Sequence, residues 1–154
     1  MLKTQVSTLD DFSQWLRLAK EIEPLFGPMV EDPRFHESLR RAIAAKEAFC
    51  IRNLDRDKKE TLQGGIIISR KQNEILWFAV AEKNRRQGIG KALLEEAIRQ
   101  LDAGRPMIVT TFAESVEMGF PARKLYQLYS FNDYLPGDLN PAGIPTVIMI
   151  RFNK

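Results

Sequence analysis

Between residues 85 and 91 the chain reads Arg-Arg-Gln-Gly-Ile-Gly-Lys, three cations around two glycines. At the mouth of a helix such a run holds an anion. The first backbone N–H groups of a helix lack partners, the helix dipole is positive at that end, and glycine lets the backbone approach phosphate oxygens with no Cβ in the way. A strand-like run at residues 74–80 precedes it. An amphipathic run follows, with Leu93, Leu94, Ala97, Ile98 and Leu101 on one face and Lys91, Glu95, Glu96, Arg99 and Gln100 on the other. The turn is expected to cradle the pyrophosphate of a nucleotide-like cofactor.

Two familiar phosphate turns do not fit. A dinucleotide-binding turn needs a third glycine where the chain has Leu93, and an acidic residue about 20 positions on, where Thr110 and Thr111 stand. A P-loop needs glycine in place of Arg85 and Ser or Thr in place of Ala92. Cys50, the single cysteine, lies in the apolar run Ala48-Phe49-Cys50-Ile51 and reads as a buried structural thiol. No disulfide within the chain and no cysteine-based metal cluster can form, and no metal is expected. His36 stands among the charged residues of a helix and reads as surface.

Residues 3–7 suggest a first strand. Thr8 offers an N-cap, with Asp11 in the reciprocal position, before Phe12, Trp15, Leu16 and Ala19 recur at helical spacing. Residues 23–33 are interrupted by prolines and read as a loop, and Asp32-Pro33 opens a second helix running to about Lys46. Three strands follow at 48–54, 61–69 and 74–80, joined by the polar turns 55–58 and 70–73 as antiparallel hairpins. The helix after the glycine turn ends at Gly104 and Pro106 and leads to a strand at 107–112, which a crossover places parallel to 74–80. Pro121 opens another helix carrying Ala122, Leu125, Tyr126 and Tyr129, and Phe131 with residues 145–152 supplies the last strand material.

The expected fold is therefore α/β of the α+β kind: one mixed, mostly antiparallel sheet flanked by helices, in a single domain over residues 1–154. With 154 residues, 44% hydrophobic and 28% charged, one core suffices. The net charge of +3 is spread over scattered basic pairs without interleaved aromatics, which argues against nucleic acid as a partner. Asp10 and Asp11 stand where a secretory signal needs an apolar run, and no uncharged stretch could cross a bilayer. A soluble, cytoplasmic protein without a membrane partner is expected.

The pattern Arg85-x-x-Gly88-x-Gly90 after Glu74-Ile-Leu-Trp-Phe-Ala-Val80, together with the later Lys124-Leu125-Tyr126-Gln127-Leu128-Tyr129-Ser130-Phe131, resembles the GCN5-related N-acetyltransferase (GNAT) family. Gly119 stands where many members carry asparagine, and Ser130 replaces their glycine before Phe131. The resemblance implies the acyl-CoA N-acyltransferase fold and transfer of an acetyl group from acetyl-CoA to a primary amine of a small molecule or peptide. A non-catalytic acyl-CoA sensor is the alternative. By the same resemblance, backbone groups of Phe78, Ala79 and Val80 would pair with the pantetheine arm, and Arg85, Arg86, Gln87, Gly88, Ile89, Gly90 and Lys91 would hold the pyrophosphate. Tyr126 would be the acid for the thiolate and Glu74 the base, with water or Glu114 as its substitute. Strand alternation puts Glu74 on the face of Leu76, Phe78 and Val80. The loop carrying Glu23, Phe26, Met29, Glu31 and Asp32 suits a cationic amine with an apolar stem. A homodimer is a further expectation, since dimers are common in the family.

Overall fold

The computed structural model describes residues 2–53 and 61–152. Its sheet has the order β1-β2-β3-β4-β5-β7-β6, with β1 Gln5–Val6, β2 Ala48–Arg52, β3 Leu62–Ser69, β4 Glu74–Val80, β5 Met107–Phe112, β6 Asn132–Pro136 and β7 Thr146–Arg151. Among the described residues β4 and β5 are the parallel pair, and the other neighbours run antiparallel. The expected turn at 55–58 lies outside the described residues.

Helices cover the sheet unevenly. Two of them, α1 (Phe12–Phe26) and α2 (Pro33–Ala44), pack on one face over β2, β3 and β4, burying Trp15, Leu18, Ile22, Leu39 and Ile43 with Ile67 and Ala79. On the other face lie α3 (Ile89–Gln100) and α4 (Phe120–Leu128), where Leu93, Leu94, Ala97 and Tyr126 meet Ile66, Ile68, Ile75, Val109 and Met149. Among the described residues no helix covers the face of β5, β7 and β6 on the α1 side. By alternation that face presents Ile108, Thr110 and Phe112 from β5 beside Ile148 and Ile150 from β7.

Local chemistry accounts for most boundaries. The Asp11 carboxylate accepts from the Thr8 N–H at 2.8 Å, as the capping pattern requires, although a short 3₁₀ turn, Leu9–Asp11, intervenes before α1. Asp32 accepts from the Arg34 N–H at 2.9 Å and starts α2. Pro24 does not end α1, which continues to Phe26 and stops at Gly27 with φ +99°. The proline lies in the last turn, so it removes one bond and leaves the packed face intact. One strand was not expected as a separate element. Every residue of β6 is exposed, it contains Asp133 and Pro136, and it shows no alternating apolar signal, as befits an edge strand.

His36 is half-buried rather than a surface residue: its Nε2 lies 2.5 Å from the Val30 carbonyl and its ring meets Phe12 edge-on. Cys50 is fully buried, and burial pushes its thiol above the ordinary value.

Candidate active site

The parallel pair that frames the site is brief. Glu74 pairs with Ile108 and Ile75 with Val109, after which the two strands part while β4 continues to Val80 and β5 to Phe112. The β5-facing backbone groups of β4 beyond Ile75, Phe78 to Val80 included, therefore have no strand partner among the described residues. The opening coincides with a bulge: Ile67 faces Trp77 and Ile68 faces Ile75, so Leu76 is the extra residue.

That bulge changes which side chains share a face. Ile75, Phe78 and Val80 all belong with the α3–α4 core, whereas Trp77 and Ala79 belong with the α1–α2 core. Glu74 precedes the bulge and points opposite to Ile75. It thus shares the face of Trp77 and Ile108, and the expectation that it lies with Phe78 and Val80 is corrected. Simple alternation fails because the inserted residue shifts the parity of everything after it. Burial raises the Glu74 carboxyl above the usual carboxylate range, and no ion pair or hydrogen bond engages it among the described residues.

At the end of β4 a 3₁₀ turn, Glu82–Asn84, leads into the glycine turn. Arg86 has φ +64° and Gly88 φ +82°, so the backbone reverses hand twice before α3 begins at Ile89. Such alternation curls successive N–H groups into a concave anion nest. Among the described residues no group accepts from the N–H groups of residues 86–91. Arg85, Arg86, Gln87, Gly88 and Lys91 are exposed, whereas the Ile89 side chain is anchored in the core, which leaves its N–H alone to serve the nest. Gly90 is close-packed: a Cβ there would come within 3.3 Å of Leu125 and 3.4 Å of Phe78, joining the turn to α4 and β4.

Tyr126 closes this face. Its ring centroid lies 6.0 Å from that of Phe78 and 5.8 Å from that of Phe131. It is 4% exposed, its hydroxyl has no hydrogen-bond partner among the described residues, and burial raises its pKa well above the ordinary value. Tyr129 contrasts with it, donating to Glu95 at 2.6 Å. Gly119 is the N-cap of α4, which carries Tyr126, and any Cβ at Gly119 would collide with Phe112, so no asparagine fits there. Two residues past the last residue of α4, Leu128, Ser130 adopts φ +72°, the left-handed conformation that glycine takes without strain.

The α1–α2 loop lies across the mouth on the opposite face. Phe26 packs on Phe112 with centroids 5.0 Å apart, and Trp77 Nε1 lies 3.4 Å from Met29 Sδ, so the end of α1 touches the β5 lip and the loop after it touches the β4 lip. Glu23 is committed to holding that loop: its carboxylate accepts from the N–H groups of Met29 and Val30 at 2.7 and 2.8 Å, and these bonds hold it below the usual range. Glu31 and Glu114 are exposed. Sequence reasoning passed over Trp77 and Phe112 as lips and over Asn140 in the β6–β7 loop. The Asn140-Pro141 turn signal marked the last of these, but nothing local indicated that it would meet α1.

Comparisons with known proteins bear on the family and the fold. The sequence profile described as the Acetyltransferase (GNAT) domain matches residues 46–132, which carry β2 through α4. The chain belongs to the GNAT family. No curated protein sequence matches it. Solved GNAT-type structures match over nearly the full length of both chains. NAA60 of Arabidopsis thaliana in complex with a bisubstrate analogue is 17% identical with TM-score 0.75, covering 100% of this chain and 99% of its own. A chain of the NatC complex bound to Gag peptide and CoA is 15% identical with TM-score 0.76, with 99% of each chain covered. An N-acetyltransferase from Staphylococcus aureus Mu50 is 13% identical with TM-score 0.73, covering 100% and 99%. At these identities the likeness establishes the GNAT fold. Among the described residues no three His, Cys, Asp or Glu side chains gather as a metal site, and no helix is long and apolar enough to cross a membrane.

Proposed function

We propose that this GNAT protein transfers an acetyl group from acetyl-CoA directly to a primary amine of a small molecule or peptide. The observation that carries the reading is the alignment of three features along β4: an N–H nest at one end, an unpaired backbone edge beyond Ile75, and an unpartnered phenol beside Phe78. Acetyl-CoA supplies the thioester. Residues 86–91 would hold its pyrophosphate, with Arg85, Arg86 and Lys91 adding positive charge. The freed edge of Phe78, Ala79 and Val80 would pair with the pantetheine arm, and an N–H of that edge aimed at the thioester carbonyl would stabilise the developing oxyanion.

Transfer forms a C–N bond and breaks a C–S bond. The ammonium must lose a proton to become nucleophilic, and the departing thiolate must gain one. Glu74 lies on the face where the α1–α2 loop lies, and its raised pKa makes it a better base than an ordinary carboxylate. Tyr126 lies on the other face, on the side of the nest. Its raised pKa keeps the phenol protonated until sulfur departs, so it would give its proton to the thiolate as charge builds there and take one back from solvent. The acceptor would reach the opening past Phe26 and Met29, which supply apolar cover, with Glu23 holding the loop and Glu31 at its rim.

The decisive experiment measures thiol release from acetyl-CoA against a panel of amines and peptides, with calorimetric CoA binding alongside. Binding with turnover on at least one amine is expected. Binding without turnover on any acceptor favours the sensor, and absence of CoA binding overturns the reading.

A further inference from the structure

We infer that the Thr111 hydroxyl is a cofactor-binding group, bonded to an amide of the pantetheine arm on the side of the arm turned away from β4; this rests on the transfer reaction proposed above. Thr111 stands in the second half of β5, beyond the last residue that pairs with β4.

Met107 and Val109 of β5 belong to the α3–α4 core, and so do Val147 and Met149 of β7. Thr111 pairs with Val147 as Val109 pairs with Met149, so its side chain points to the face that Tyr126 covers. Counting on from the pair Ile75–Val109, with Leu76 taken up by the bulge, Thr111 comes level with Phe78 across the gap where the strands part. Phe78 in turn meets Tyr126. The hydroxyl therefore borders the gap on the side of the phenol.

Thr111 is 8% exposed, and its hydroxyl has no hydrogen-bond partner among the described residues. Unlike Gln14 Oε1 and Asn84 Oδ1, it is not sealed in, so an incoming group can reach it. Valine at this position would continue the pattern of Met107 and Val109 and pack on Val147 without a desolvated hydroxyl. The chain keeps instead a polar group that adds nothing to the unliganded fold, and such departures from local consistency gather at functional positions.

The arm supplies the missing partner. Pantetheine contains two amides, each directing its N–H and C=O to opposite sides. Groups that face β4 pair with its freed edge, whereas those on the other side would be enclosed without a bond. A hydroxyl accepts from an N–H or donates to a C=O, so Thr111 can satisfy either. Held from both sides, the arm has its thioester fixed beside Tyr126.

The test separates stability from affinity with two variants, read by thermal unfolding of the unliganded protein and calorimetric CoA binding. Thr111→Val loses the hydroxyl and keeps the shape. It should melt at or above the wild-type temperature yet bind CoA about three- to tenfold more weakly, the size of one neutral hydrogen bond, with the KM for acetyl-CoA raised and that for the amine unchanged. Thr111→Ser keeps the hydroxyl and loses a buried methyl. It should melt about 2–4 °C lower and bind CoA within a factor of two of wild type. Unchanged CoA affinity in Thr111→Val, or losses of affinity that follow the melting temperature in both variants, overturn the inference and leave the transfer reaction standing. Absence of CoA binding by the wild type overturns both.

Discussion

Glu74 and Phe78 lie on opposite faces of β4, although they are four residues apart in a strand and regular alternation would place them together. The extra residue at Leu76 separates them. It places a carboxylate on the face of the α1–α2 loop and leaves Phe78 beside Tyr126 on the face of the nest, so the two proton movements of the proposed reaction occur on opposite sides of one strand.

Tyr126→Phe removes the hydroxyl from a site without hydrogen-bond partners among the described residues, so the fold loses little. Turnover should fall by about 10²-fold or more, within the usual range for a general acid, while calorimetric CoA affinity stays within a factor of two. Tyr129→Phe, which loses only the bond to Glu95, should leave turnover near wild type. Equal losses in the two variants would contradict the assignment.

Glu74 makes a prediction with two signs. Its pKa is raised in the folded chain, so ionising it costs stability: the favourable contribution is full below the unfolded value and is lost as pH rises through the folded one. Glu74→Gln should therefore raise the melting temperature at neutral pH. It should also lower kcat about 10²-fold and remove the acidic limb of the pH–rate profile, whose midpoint lies above the usual carboxylate range. Thermal unfolding and rate profiles of the same preparation check both.

Gly88→Ala tests the nest. Space is available, since the nearest atom to an added Cβ is Leu2 Cδ1 at 3.6 Å, but φ +82° is strained for alanine. A stability loss of about 1 kcal/mol is expected, together with a larger relative loss of CoA affinity, read by calorimetry. Charge reversal at Arg85 or Arg86 should weaken CoA without changing the melting temperature, because both side chains are exposed.

Ser130→Gly relieves a left-handed serine at φ +72°. It should stabilise the protein by roughly 0.5–1 kcal/mol, a rise of about 2–4 °C at most, without affecting turnover.

Asp11 accepts from Arg52 at 2.9 and 2.7 Å and from the Thr8 N–H. Burial pulls its pKa up, but these partners outweigh it and hold the carboxyl below the ordinary value. Its contribution is present above the unfolded pKa of ~3.9 and lost as pH falls through the folded one. Asp11→Ala should destabilise at pH 7 by about 3 kcal/mol, and the difference from wild type should shrink in acid denaturation.

The turn at residues 85–91, the helix after it, the strand Glu74–Val80 and Tyr126 were legible in the chain because each signal is local. Glycines at a helix start, an apolar face of fixed period and a short β-rich run carry their meaning within about a dozen residues. The face of Glu74 was not legible, since a bulge depends on how β3 pairs with β4 and leaves no mark on β4 alone. The same holds for β6, which is a strand only because β7 pairs with it, and for Glu23, whose carboxylate is bound by the loop that its own helix leads into. Asn140 and Leu25 lie 115 residues apart, and their bond exists because the sheet order brings the β6–β7 loop over the end of α1. Local chemistry thus marked the turn that resembles a cofactor cradle, whereas the face of Glu74 and the placement of the α1–α2 loop came from contacts between distant segments.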